Sequence, residues 1–229
     1  MDFIFMLTRA DQTVSDCLEV FEGIADSGVT HMGYKDVGVD RSTLEDLTRR
    51  IKQAGFISYM EVVSTSLEAS LESARTAAAV GVDRLMGGTA VRETLQILAG
   101  SPVAYYPFPG RPEGHPTRLG GTPEDIAEHC RIFEDMGCAG VDLLAYRAFE
   151  AEPLALVQAA RAALQGDLIV AGSIATPQQI GFLAEAGVDA FTIGSAAFDG
   201  SFSPRKGALN SQLRDILNAC GPPPAPPQT

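Results

Sequence analysis

The sequence predicts a single-domain (β/α)8 barrel, and three observations lead there. Eight short β-rich runs alternate with longer helical patterns along the 229 residues. A glycine-valine pair recurs ahead of alternate runs. The first run ends in LTRADQT, without the glycine-rich turn that an open doubly-wound sheet would place there. With 45% hydrophobic and 20% charged residues, the chain is long and apolar enough to bury a barrel-sized core.

The predicted strands are Phe3–Leu7, Thr30–Tyr34, Ile57–Val63, Arg84–Met86, Val103–Tyr106, Asp142–Leu144, Leu168–Ala171 and Ala190–Ile193. Amphipathic segments such as TVSDCLEVFEGIADSG, RSTLEDLTRRIKQAG and TSLEASLESARTAAAVG separate them. Gly28-Val29, Gly81-Val82, Gly140-Val141 and Gly187-Val188 recur roughly every 50 residues, which makes four double βα units. Each glycine is read as the left-handed residue ending a helix, and each pair as the opening of an even-numbered strand. By that reading Arg84 and Asp142 start their strands and belong to the stability face. The barrel is expected over residues 1–220, and 221–229 (GPPPAPPQT) reads as a proline-rich disordered tail.

A net charge of −12 argues against nucleic acid as a partner, while leaving small anions bound by local N–H groups. No apolar run approaches a membrane span or a signal peptide, so no membrane partner and a cytoplasmic location are expected. Cys17, Cys130, Cys138 and Cys220 show no C-x-x-C spacing and read as reduced core thiols. His31 and His129 read as structural. No metal-ligand spacing and no dinucleotide fingerprint occur, so neither metal nor cofactor is expected. Homo-oligomer formation is left open.

In such a barrel, chemistry belongs at the C-terminal ends of the strands. Strand 7 ends in AGSIATPQQI and strand 8 in TIGSAAFDGSF. Gly172, Ser173, Gly194 and Ser195 would form a concave N–H site for phosphate, inorganic or carried by a metabolite. The long PFPGRPEGHPTRLGGTPED segment after strand 5 reads as a loop covering the ligand, with Arg111, His115 and Arg118 as substrate contacts. Arg147, after strand 6, would hold a second anionic group.

The run LIVAGSIATPQQIGFLAEAGVDAFTIGSAAFDGSF resembles the phosphate-binding half of the ribulose-phosphate-binding barrels, among them the histidine-biosynthesis isomerase and phosphosugar epimerases. That resemblance implies a phosphorylated ligand. The isomerase's aspartates end strands 1 and 5; here strand 1 is followed by Asp11, and strand 5 ends in Tyr105-Tyr106. More locally, AGSI and GYKD resemble the (5-formylfuran-3-yl)methyl phosphate synthases. This second likeness puts Lys35 at the position of a Schiff-base lysine. The aspartate and second lysine of that family fall on Gly33 and Met86.

The residues themselves single out Lys35, one of three lysines, because it ends an enclosed strand. It is a partner for Asp36 or Glu61, a cationic substrate contact, or an imine-forming nucleophile. Glu61, on the apolar strand SYMEVVS, is a candidate general base or an ion-pair partner of Lys35 or Arg84. Lys35, Glu61 and Asp36 are therefore the candidate catalytic residues. The expected function is binding of a small sugar phosphate at the barrel mouth by a cofactor-independent isomerase or epimerase. An aldolase-type lyase using Lys35 and a non-catalytic phosphometabolite sensor are the alternatives.

Overall fold

The computed structural model describes residues 1–24, 26–64 and 66–221. Eight parallel strands form one sheet: β1 (Asp2–Met6), β2 (His31–Lys35), β3 (Ile57–Val62), β4 (Arg84–Gly87), β5 (Ala104–Tyr106), β6 (Gly140–Leu143), β7 (Asp167–Val170) and β8 (Ala190–Ile193). Strand order runs β6-β7-β8-β1-β2-β3-β4-β5. Hydrogen bonds from Ala139 N to Tyr105 O (3.0 Å) and from Asp142 N to Pro107 O (3.0 Å) close the barrel between β5 and β6. Each predicted strand is found, with ends shifted by two residues or fewer. The proline-rich segment expected to be a tail lies, from Pro222 on, outside the described residues.

The helices are α1 (Cys17–Ile24), α2 (Arg41–Gln53), α3 (Leu67–Val80), α4 (Val91–Leu98), α5 (Pro123–Asp135), α6 (Pro153–Ala163), α7 (Pro177–Glu185), the single turn α8 (Ser195–Phe198) and α9 (Leu209–Ala219). Alternation divides the side chains of each strand between two cores. Phe3, Phe5, Met32, Tyr34, Met60, Leu85 and Tyr105 face the helices, whereas Ile4, Met6, Tyr59, Met86, Tyr106, Ile169 and Ala190 fill the barrel. The N-terminal end is closed by Arg84, which stacks over the rings of Tyr59 (5.4 Å) and Tyr106 (5.7 Å) and faces Asp167 at 3.5 Å. His31 donates to or accepts from Tyr59 Oη at 2.7 Å in the same layer. No described helix is long and apolar enough to cross a membrane.

The glycine repeat needs one correction. Gly28, Gly81 and Gly187 are left-handed, at φ of 91°, 71° and 75°, but Gly140 is not. The residue that ends α5 in their place is Gly137, at φ 94°. Gly140 is instead the first residue of β6, so Asp142 is its third residue, not its first. Even-numbered positions of β6 project into the barrel, since Val141 and Leu143 pack against the helices. Asp142 therefore leaves the stability face, to which Arg84 does belong, and enters the layer under the mouth.

Candidate active site

A two-residue hairpin follows β1. Thr8-Arg9 pairs antiparallel with Gln12-Thr13, and the turn residues Ala10 (φ 49°) and Asp11 (φ 64°) are both left-handed. Two such residues in succession make the tight turn that matches strand twist, although alanine rarely occupies it. The turn aims Asp11 into the barrel mouth. Thr13 anchors it, its hydroxyl accepting from Lys35 N and donating to Lys35 O, both at 2.8 Å.

Asp11 is the centre of a buried charge cluster. Lys35 Nζ donates to its Oδ1 at 2.5 Å and lies 3.3 Å from Glu61 Oε2. Arg147, on the turn Ala145–Arg147 after β6, takes both Asp11 oxygens at 3.0 and 3.1 Å. Thr117 N donates to Asp11 at 3.3 Å, and Thr117 O accepts from Arg147 at 3.2 Å. The side chains of Asp11, Glu61 and Lys35 are only 2%, 3% and 5% exposed. Burial alone would raise the Asp11 pKa. The Arg147 fork and the Lys35 charge outweigh it and hold the carboxyl well below its usual range.

Asp142 shows the opposite balance. It is fully buried, and neither carboxyl oxygen has a hydrogen-bond partner among the described residues. Burial, then the nearby charge of Glu61, push its pKa well above the ordinary value, and Lys35 and Arg147 only partly offset this. With two acids and two bases already balanced around it, a third carboxylate would be uncompensated.

The cluster floors a cavity of about 340 Å³, whose rim is Gly172–Ala175 and Gly194–Ala196. Ser173 is left-handed at φ 60° beside Gly172 at 79°. The N–H groups of Gly172, Ser173, Gly194 and Ser195 donate to no backbone acceptor among the described residues, so they are free to bind an anion. Gly194 has a packing role as well. A Cβ there would lie 2.8 Å from the Thr8 carbonyl oxygen, so the end of β8 could not approach the hairpin after β1.

The structure brings Lys35, Glu61, Arg147, Gly172, Ser173, Gly194 and Ser195 around one cavity. Asp36 points elsewhere: its carboxylate accepts from Val63 N (2.9 Å), Ser64 Oγ (2.5 Å) and Ser73 Oγ (2.7 Å), tying the β3–α3 connection to the end of β2. The segment after β5 folds into a hairpin, Arg111–Glu113 against Arg118–Gly120. Arg111 pairs with Asp125 and Glu150, Arg118 stacks on Phe149 at 4.4 Å, and His115 is exposed. Thr117 is the hairpin residue that bonds to the cluster, and Arg118 lines an adjoining cavity together with Asp11, Arg147, Ser173 and Ser195. His129 holds the hairpin's base by accepting from Gly110 N at 2.9 Å. Gly33 and Met86 also have a structural meaning, since the Met6 sulfur occupies the space a Gly33 side chain would need and Met86 belongs to the apolar barrel filling. Among the described residues, no group of three or more His, Cys, Asp or Glu side chains is disposed to hold a metal ion.

Sequence reasoning missed Asp11, Thr13, Thr117 and Asp142. Asp11 carried a signal, since the short polar TRADQT after a strand that needs no turn marks an inserted hairpin.

No protein-family model matches the chain, and no curated protein sequence matches it significantly. Solved structures do match. Orotidine 5′-phosphate decarboxylase from Pyrococcus horikoshii superposes with a TM-score of 0.67 at 12% identity, over 95% of this chain and 98% of that one. A mutant tryptophan synthase α-subunit from Pyrococcus furiosus gives 0.69 at 12% identity, over 95% and 98%. A 3-hexulose-6-phosphate synthase gives 0.60 at 17%, over 94% and 99%. These likenesses show the fold, a (β/α)8 barrel spanning nearly the whole of each matched chain. At these identities the likeness concerns the path of the backbone, and the site must be read from its own residues.

Proposed function

We propose that the barrel mouth binds a small sugar phosphate and catalyses a cofactor-independent isomerisation or epimerisation. One observation carries this reading: Lys35 and Glu61, 3.3 Å apart, line the same cavity as the free N–H groups of the β7 and β8 ends. The phosphate takes those N–H groups. Glu61 removes a proton from the carbon beside a carbonyl and returns it to the former carbonyl carbon. The hydroxyl proton of the enediolate passes to the former carbonyl oxygen, so atoms balance without a co-reactant. Epimerisation instead returns a proton from solvent to the opposite face of the same carbon. The Lys35 ammonium donates to the oxygen on which negative charge develops. Asp11, Arg147 and Thr117 position Lys35. The enzymes named in the structural matches, a 5′-phosphate decarboxylase and a 6-phosphate synthase, support a phosphorylated ligand by fold analogy.

Thermal unfolding tests the anion site. Inorganic phosphate at a hundredfold its dissociation constant should stabilise the protein by about 2.7 kcal/mol, roughly 5–10 °C for a domain of this size. Ser195→Asp places a carboxylate at the exposed start of α8 and should abolish that shift while the ligand-free protein unfolds as before. An undiminished shift would move the anion site elsewhere.

The lyase reading is favoured by one observation, that Lys35 itself lines the cavity. An imine requires the amine to give up both carboxylate partners, so proton transfer is preferred. Borohydride reduction with dihydroxyacetone phosphate is expected to leave no adduct on Lys35 by peptide mass mapping. A stable adduct there would reverse the preference.

A further inference from the structure

A second cavity, of about 380 Å³, lies across the β3–β4 edge of the same barrel end. Its walls are the end of β3, the first turns of α3, the Gly88–Ala90 connection, Phe108 and the hairpin after β5. Val62 turns its side chain towards the helices while Glu61 next to it faces the barrel, so the strand wall divides this space from the mouth. Thr117 forms part of its lining and spends its main-chain groups on Asp11 and Arg147. One ligand therefore cannot occupy both spaces without displacing the hairpin.

We propose that this cavity is a second ligand site, for an uncharged small molecule that has an apolar face and a hydroxyl or carbonyl oxygen. Val62, Leu67 and Phe108 supply the apolar surface, and Leu67 is left 60% exposed. Ser70 supplies a polar group with no partner among the described residues. It is 7% exposed, lines the cavity, and its hydroxyl has no hydrogen-bond partner on any described residue. The start of α4 opens beside it: Ala90 occupies the N-cap position and no side chain caps the first turn. These donors suit a neutral oxygen, not an anion. Glu113 is the sole charged residue among the described lining, which holds no cation, and Glu93 stands in the first turn of α4.

The site is independent of the phosphate reading, and one experiment separates the two. Amide shifts of the isotope-labelled full chain are followed with benzyl alcohol and, separately, with inorganic phosphate. Benzyl alcohol is expected to shift Ser70, Gly88 and Thr89, and phosphate to shift Gly172, Ser173, Gly194 and Ser195. Ser70→Leu fills the cavity from within a helix and should weaken the alcohol about tenfold or more. Thr89→Trp fills it from the exposed rim and should do the same, and both variants should keep the phosphate shifts. The proposal is overturned if phosphate moves Thr89 and Ala90, or if the alcohol binds both variants as it binds the parent. Absence of phosphate shifts at Gly172 and Ser195 would count against the anion site alone.

Discussion

Asp11→Ala is expected to lower the unfolding free energy by about 3–5 kcal/mol, read from urea midpoints at constant slope, because it leaves buried cations without their shared partner. The magnitude follows from connectivity. One carboxylate takes the Lys35 ammonium at 2.5 Å, the bidentate Arg147 fork and a main-chain N–H from a residue far along the chain. A water-filled gap would compensate an exposed pair, but the Asp11 side chain is 2% exposed. The pH dependence has a definite sign. A carboxyl held below its usual range contributes stability that is present above the unfolded value near 3.9 and lost as pH falls through the folded value. The difference between parent and Asp11→Ala should therefore be full at pH 7 and shrink on acidification below about pH 4. A loss under about 1 kcal/mol at pH 7 would mean the cluster behaves as an exposed pair. Asp11→Asn keeps the shape of the turn, so a similar loss in that variant assigns the effect to charge and not to the strained hairpin.

The barrel was legible because its signals are local. Strand runs, helical periodicity and left-handed glycines each report on a few neighbouring residues, and eight of them agree. The rim proposed for phosphate was legible in the same way, since Gly194-Ser195 follows β8 directly and Gly172-Ser173 follows β7 after one residue. The charge cluster was legible in part. Lys35 and Glu61 stood out as charges on apolar strands, but their common partner arrives through a turn whose direction depends on two left-handed residues that are not glycine. Asp36 looked equivalent to Lys35 by adjacency, yet successive strand residues face opposite sides, and that alternation sends its carboxylate to Ser64 and Ser73. Asp142 was misplaced by a repeated Gly-Val-Asp string that is chemically the same at Gly81 and Gly140 but offset by three residues in the fold. Only backbone conformation distinguishes Gly137 as the helix terminator there.

Asp142→Asn is expected to remove a loss of stability that the parent shows as pH rises above the ordinary carboxyl range. In the parent this carboxyl is fully buried, unpartnered and pushed well above its ordinary pKa by burial and by Glu61. A raised folded value means that the folded state retains a proton the unfolded chain has already released. Its contribution to stability is thus fully present below the unfolded value near 3.9, and is lost as pH rises through the folded value. Across that window the slope approaches about 1.4 kcal/mol per pH unit. Asparagine keeps the shape and cannot ionise, so the stability of the variant relative to the parent should climb as pH rises above about 4 towards the folded value of Asp142. Urea unfolding at several pH values measures this directly, and Asp11, whose dependence lies at acid pH and has the opposite sign, does not interfere in that range. A difference that stays constant with pH would show that Asp142 titrates as an ordinary carboxyl. The consequence for the mouth follows from charge balance. Lys35 and Arg147 already face Asp11 and Glu61, and a neutral Asp142 beneath them leaves that balance undisturbed. Ionising it would place a further negative charge near Glu61 and draw Lys35 away from the oxygen it is proposed to stabilise, so activity should fall as pH rises through the raised folded value of Asp142 and persist in Asp142→Asn.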